Sequence, residues 1–285
     1  MQLAERALLP VAKSLYKIPL VKKEYFRHYA SYKFLRLKVE RKLHLLRPPA
    51  VQWLATYNCN FRCKHCEASA GSTNVSELTT NEALKLITEL SKMKVERIAI
   101  SGGEPLLRKD LFRIIHHILD KGMQYAIASN GYLVSNFKEK FSNMKPYMFF
   151  TSIDGLEQTN DNFRGRKGAF KKTFRALEFF KSIGVEKRTI NTVVFPGNIK
   201  ELPELKKIIL NSAASFWRLV LAIPVGRAKD NNDMYLNKEQ TRYFFKFVGQ
   251  ARREFNVGIS EEVGYLGCLP IRDSLTSYPF FCDAG

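Results

Sequence analysis

The chain has 285 residues, 45% of them hydrophobic and 26% charged, and carries a net charge of +19. That length suits one α/β barrel with an appendage, and a chain of this composition can bury a large core, which excludes disordered and collagen-like classes. No apolar run is long enough to cross a bilayer, and the start, Met1-Gln2-Leu3-Ala4-Glu5-Arg6, lacks the charged-then-apolar order of a secretory signal.

The positive charge is uneven. Residues 1–47 hold twelve Lys and Arg against three Glu, with Tyr16, Tyr25, Phe26, Tyr29, Tyr32 and Phe34 interleaved. This pattern predicts a basic amphipathic helical extension over residues 1–48. Such a helix can lie on an anionic membrane surface, bind nucleic acid or dock an acidic partner. A solvated face of an accessory helix is the plainer reading, and no nucleic-acid module accompanies it. Pro48-Pro49 ends the segment, because proline lacks a donor and restricts the residue before it.

Strands and helices then alternate. The pattern predicts strands at 51–56, 97–101, 124–129, 148–153, 186–194 and 217–223. Helices are predicted from Thr79 or Thr80 to about Met93, from Asp110 to Lys121, near 136–141, and over 169–183, 202–210 and 238–255. Six strand–helix units in strict alternation define an α/β fold with a parallel sheet, a partial (β/α)6 TIM-like barrel over residues 49–258. From Asn256 the glycines Gly258, Gly264 and Gly267 and then Pro270 break the pattern, and the segment 259–285 reads as the start of a further unit that is cut off at Gly285.

Three of the five cysteines, Cys59, Cys63 and Cys66, share one loop after the first predicted strand. A single zinc usually takes two spaced pairs of ligands, and His65 lies between two of these cysteines, where reaching the same metal would strain the loop. The odd count and the absence of a secretory signal argue against a disulfide and for a reducing, cytoplasmic setting. Three thiolates at this spacing can hold three corners of a cubane iron–sulfur cluster, leaving one iron open. The loop follows a strand, and α/β barrels place their active sites at the C-terminal ends of strands.

Other special sequences fall at those ends. Gly102-Gly103-Glu104-Pro105 permits close backbone approach, offers a carboxylate to a cation and stiffens the turn. Ser129-Asn130-Gly131 and Ser152-Ile153-Asp154-Gly155 supply short polar side chains, and Arg164 follows, a guanidinium able to clamp a carboxylate. Singly each is ordinary turn chemistry; together on one rim they predict a site.

The cysteine loop, the Gly102–Pro105 motif and the Ser152/Asp154 strand end, in this order, resemble the radical S-adenosylmethionine enzymes. The resemblance implies a [4Fe–4S] cluster on Cys59, Cys63 and Cys66, with S-adenosylmethionine chelating the open iron. It implies that Gly102, Gly103 and Glu104 meet the methionine amino group, with Pro105 completing that cofactor-binding motif, and that the backbone at His65 contacts adenine. It further places Asn130 near the ribose, Ser152 and Asp154 at the next polar strand end, and Arg164 on the methionine carboxylate. A local structural role for Asp154 fits equally well. Reduced flavodoxin or ferredoxin is the implied electron donor. The stretches 65–71 and 224–228 resemble haem-pathway radical enzymes and peptide maturases with a cysteine-rich SPASM or twitch extension. There Cys282 would begin the extension as a ligand of an auxiliary cluster, while Cys268 is left unassigned. Substrates of peptide or tetrapyrrole type follow, with no nucleic acid expected. The alternative from another class is a basic iron–sulfur or zinc protein that binds nucleic acid and catalyses nothing.

Overall fold

The structure is a computed structural model and describes residues 48, 50–71 and 75–259. In chain order the main elements are β1 (Ala50–Thr56), α1 (Thr80–Lys92), β2 (Arg97–Gly102), α2 (Leu111–Asp120), β3 (Gln124–Ala128), α3 (Lys138–Asn143) and β4 (Met148–Ser152). They continue with α4 (Glu157–Arg164), α5 (Ala169–Ser182), β5 (Lys187–Val194), α6 (Leu202–Leu210), β6 (Phe216–Leu221), α7 (Lys238–Ala251) and β7 (Val257–Ile259). Each strand pairs in parallel with the next, giving one seven-stranded sheet in sequential order. Parallel neighbours need a crossover, and the helices between strands supply it. Among the described residues no helix is long and apolar enough to cross a membrane.

The core lies between the sheet and its helices. In α2, Leu111, Ile114, Ile115 and Ile118 are buried, a stripe at helical spacing that faces the sheet. Tyr125 and Ile127 of β3, Ile98 and Ile100 of β2, and Trp217 and Leu219 of β6 meet such stripes from the strand side. The alternate strand residues therefore face the other side, the barrel interior. In α1, Thr79 and Glu82 form a capping box, as the Thr79/Thr80 start predicts.

Two elements depart from expectation. The expected six strands gain a seventh, β7, within the stretch read as broken by Gly258. A Cβ on Gly258 would stand 2.6 Å from the Phe216 ring, so this glycine makes room for a cross-strand side chain and does not break the strand. Helix α4 was not expected because its sequence, EQTNDNFR, is almost wholly polar. Its buried face is Asn160, Phe163 and Arg164, of which two are polar, so no apolar periodicity announces it. The basic segment up to Arg47, Cys268 and Cys282 lie outside the described residues.

Candidate active site

The cysteine loop leaves the C-terminal end of β1 and is held on three sides. From β2, Gly103 N–H donates to Thr56 O (2.7 Å) and Glu104 N–H to Asn58 O (2.8 Å). A Cβ on Gly103 would lie 2.3 Å from Asn58 O, so the two strand ends can touch only through glycine. Gly102 ends β2 with φ of 137°, also against Thr56. From α4, Arg164 O accepts from Arg62 N–H (3.2 Å) and Phe163 O from Lys64 N–H (3.0 Å). From beyond β6, the Arg227 side chain donates to Cys63 O (2.7 Å) and Ala70 O (2.9 Å), and its N–H donates to Cys66 O (3.0 Å).

The thiols of Cys59, Cys63 and Cys66 are free and half-buried. Phe61 N–H points at Cys59 Sγ and Ala70 N–H at Cys66 Sγ, both at 3.4 Å. Burial pushes the Cys63 thiol up to about 11, with Asp154 and the other two cysteines adding to the rise and Arg164 opposing it. Burial also raises Cys59, helped by Glu104 and Cys66. The thiols thus sit near enough to oppose one another's ionisation, and a bound cation would relieve that opposition. Yet among the described residues no three His, Cys, Asp or Glu groups converge as ligands of one metal ion. Three neighbouring thiols on one loop, two of them met by backbone N–H groups, fit a polynuclear cluster in which each takes its own iron.

The remaining expected residues surround this loop with partners of their own. Glu104 is fully buried, and its carboxylate accepts from Ser129 Oγ (2.9 Å), Asn130 N–H (2.8 Å) and Leu106 N–H (3.1 Å). It binds the end of β2 to the end of β3, with donors at the β3 end engaging both its oxygens. Burial nevertheless raises its pKa to about 7 against these hydrogen bonds. Pro105 opens a short 3-10 turn beneath it. Asn130 is tied to the cysteine loop through Asn60 Oδ1 (2.8 Å) and accepts from Tyr132 N–H.

Asp154 and Arg164 form a buried ion pair, Oδ2 to Nη2 at 2.8 Å. Burial works against the Arg164 charge, but Asp154 and the nearby thiols outweigh it and hold the guanidinium above its usual range. Asp154 also accepts from Val193 N–H at 2.8 Å. His65 is stacked on Phe163 (4.8 Å between ring centroids), which is stacked on Phe195 (4.2 Å). Burial lowers His65 to about 4, so it is neutral. Ser152 ends β4 on the inner face. Sequence reasoning did not assign Asn60, Phe163, Phe195 or Arg227 to the site. Only Arg227 carried a signal, as part of the turn 224–227 after a strand; the others are ordinary residues until the fold brings them to the loop.

Fold and rim together define an α/β barrel enzyme core whose functional groups stand at the C-terminal ends of its strands. The chain belongs to the Radical SAM superfamily, whose family model matches residues 53–208. The cofactors of that family are a [4Fe–4S] cluster and S-adenosylmethionine. The chain is 33% identical to AdoMet-dependent heme synthase of Methanosarcina barkeri, over 66% of this chain and 54% of that protein. It is 29% identical to mycofactocin maturase MftC of Mycolicibacterium smegmatis, over 70% of this chain and 52% of that protein. The chain spans about half the length of the curated relatives it matches. The crystal structure of Streptococcus suis SuiB bound to S-adenosylmethionine has the same fold, with a TM-score of 0.60, 14% identity, and coverage of 90% of this chain and 60% of that one.

Proposed function

We propose that this chain is the catalytic core of a radical S-adenosylmethionine enzyme acting on a tetrapyrrole or peptide substrate. One observation carries the reading: three free, mutually interacting thiols on a loop clamped from β2, α4 and Arg227 at the mouth of a parallel barrel. In this reading Cys59, Cys63 and Cys66 hold the cluster. The cluster and S-adenosylmethionine, when bound, supply reductive cleavage of a sulfonium to methionine and a 5′-deoxyadenosyl radical that abstracts hydrogen from substrate.

The chain's own residues position these groups. In this reading the methionine amino group lies at the Gly102-Gly103-Glu104 turn, which packs directly against the end of β1, and Pro105 stiffens that turn. His65, Asn130, Ser152 and Asp154 line the rim on which the nucleoside end would lie. Arg164 contributes its positive charge beside Cys63, and Asp154 fixes its position. An electron donor of flavodoxin or ferredoxin type would reach the loop from outside. Residues 1–48 form an extension able to meet an anionic membrane surface in this reading. Residues 49–258 form the core, and 259–285 begin a cysteine-rich extension with Cys282 as a candidate ligand. A cytoplasmic location suits the unpaired thiols.

The substrate class rests on the relatives, one a heme synthase and one a mycofactocin maturase. The test is Cys63→Ala, purified anaerobically and reconstituted with iron and sulfide. It should lose the brown cluster absorbance and 5′-deoxyadenosine formation together; intact deoxyadenosine production would overturn the assignment. Incubating the wild type with iron–coproporphyrin and with candidate precursor peptides separates the two substrate classes by which mass changes.

A further inference from the structure

The strand register lays a polar row across the inside of the barrel. Ser152 of β4 is the in-register partner of Asn191 of β5, and Asn191 that of Arg218 of β6. Trp217 and Leu219, on either side of Arg218, are fully buried in the core on the helix side. Side chains alternate along a strand, so Arg218 faces the interior. The same alternation applies to β4, where Phe149 stacks on Phe180 of α5 at 4.2 Å and Phe150 faces inward. The Arg218 guanidinium carbon lies 6.0 Å from the Phe150 ring centroid, at the limit of a cation–π contact.

This arginine is half-buried, and no carboxylate among the described residues pairs with it. Beside it, Asn191 Oδ1 is buried without a hydrogen-bond partner. Asn191 Oδ1 is thus left open on the inner wall of the barrel, and the half-exposed Arg218 beside it has no counter-charge among the described residues, so a ligand entering the barrel can answer both groups. Arg164 differs, since Asp154 already answers its charge. Position separates Arg218 from the cosubstrate groups as well. Ser152 is the residue assigned to the cosubstrate on the nearest strand, and Arg218 lies two strands from it with Asn191 between them.

We propose that Arg218, with Asn191 beside it, is a carboxylate-binding subsite for the substrate. The planar guanidinium donates two parallel N–H bonds to one carboxylate, and Asn191 Oδ1 accepts from a donor on the same ligand or a bridging water. Propionate side chains of a tetrapyrrole and carboxylates of a peptide share this chemistry. The proposal rests on the barrel being the substrate chamber of the enzyme proposed above, and it names the group by which substrate is held.

The test is a binding measurement on the reconstituted chain, so turnover is not needed. Four probes are used: iron–coproporphyrin III and its methyl ester, and a Glu-containing peptide and its fully amidated form. In the wild type at least one free acid should bind more tightly than its neutral form. Arg218→Gln should weaken that acid about 10- to 100-fold and leave the neutral form unchanged, and Arg218→Lys should restore part of the loss. S-adenosylmethionine affinity should not change. Which acid responds identifies the source of the carboxylate. A folded Arg218→Gln chain that binds both acids like the wild type overturns the subsite, as does a wild type that prefers neither acid. A loss confined to S-adenosylmethionine also overturns it, placing Arg218 on the cosubstrate. Failure of the enzyme reading would show separately, as a wild type that forms no 5′-deoxyadenosine under dithionite.

Discussion

At the residue scale, Glu104 is a buried acid that ties two strand ends together at the site. Its carboxylate joins the ends of β2 and β3 directly beside the cysteine loop. Burial keeps its proton on up to about pH 7 in the folded chain, whereas an ordinary glutamate loses it near 4.5. The folded state therefore binds more protons in that window. The stability this contributes is complete below about pH 4.5 and is lost as pH rises through about 7. Glu104→Gln, which cannot ionise, should consequently gain in stability relative to the wild type between about pH 5 and about pH 8. Urea unfolding of both chains across that range checks the sign; a constant difference would show that Glu104 is ionised throughout.

At the element scale, strand ends and helix ends fix the loop through backbone contacts that leave no room for a side chain. Gly103 touches Asn58 O, and Gly226 lies as closely against Cys66 O and Glu67 O. Gly103→Ala should force β1 and β2 apart at the rim, at a cost of about 1–3 kcal/mol. We expect a lower unfolding midpoint and reduced iron content after reconstitution, with far-UV circular dichroism unchanged. Iron content equal to the wild type would show that the rim can yield. Most elements were legible in the sequence because their apolar spacing repeats at 3.6 or 2 residues, as in α2 and in the alternately buried Ile98 and Ile100 of β2. Helix α4 was not, because its fold-determining contacts are an ion pair and two backbone carbonyls offered to another loop.

At the scale of the whole molecule, the Asp154–Arg164 pair is where distant parts of the chain meet. Asp154 accepts from β5 through Val193 N–H, its own N–H donates to Asn160 of α4, and Arg164 O accepts from the cysteine-loop amide at Arg62. Asp154→Asn keeps a hydrogen-bonding side chain and leaves the Arg164 guanidinium buried without its counter-charge, which costs about 3–5 kcal/mol. Thermal unfolding should show a large drop, and a shift no greater than that of a surface substitution would mean the pair contributes little. The sequence by itself determined the alternation of strands and helices, the rim loops and the three-cysteine spacing, because periodicity, turn chemistry and chelate spacing are local properties. Tertiary structure alone decided that Glu104 binds a neighbouring strand end, that Arg164 meets Asp154, that Arg227 reaches back across more than 150 residues to the cysteine loop, and that Arg218 faces the interior with no carboxylate partner among the described residues. Those outcomes depend on which strands become neighbours and in what register, and that is fixed by packing among residues far apart in the chain.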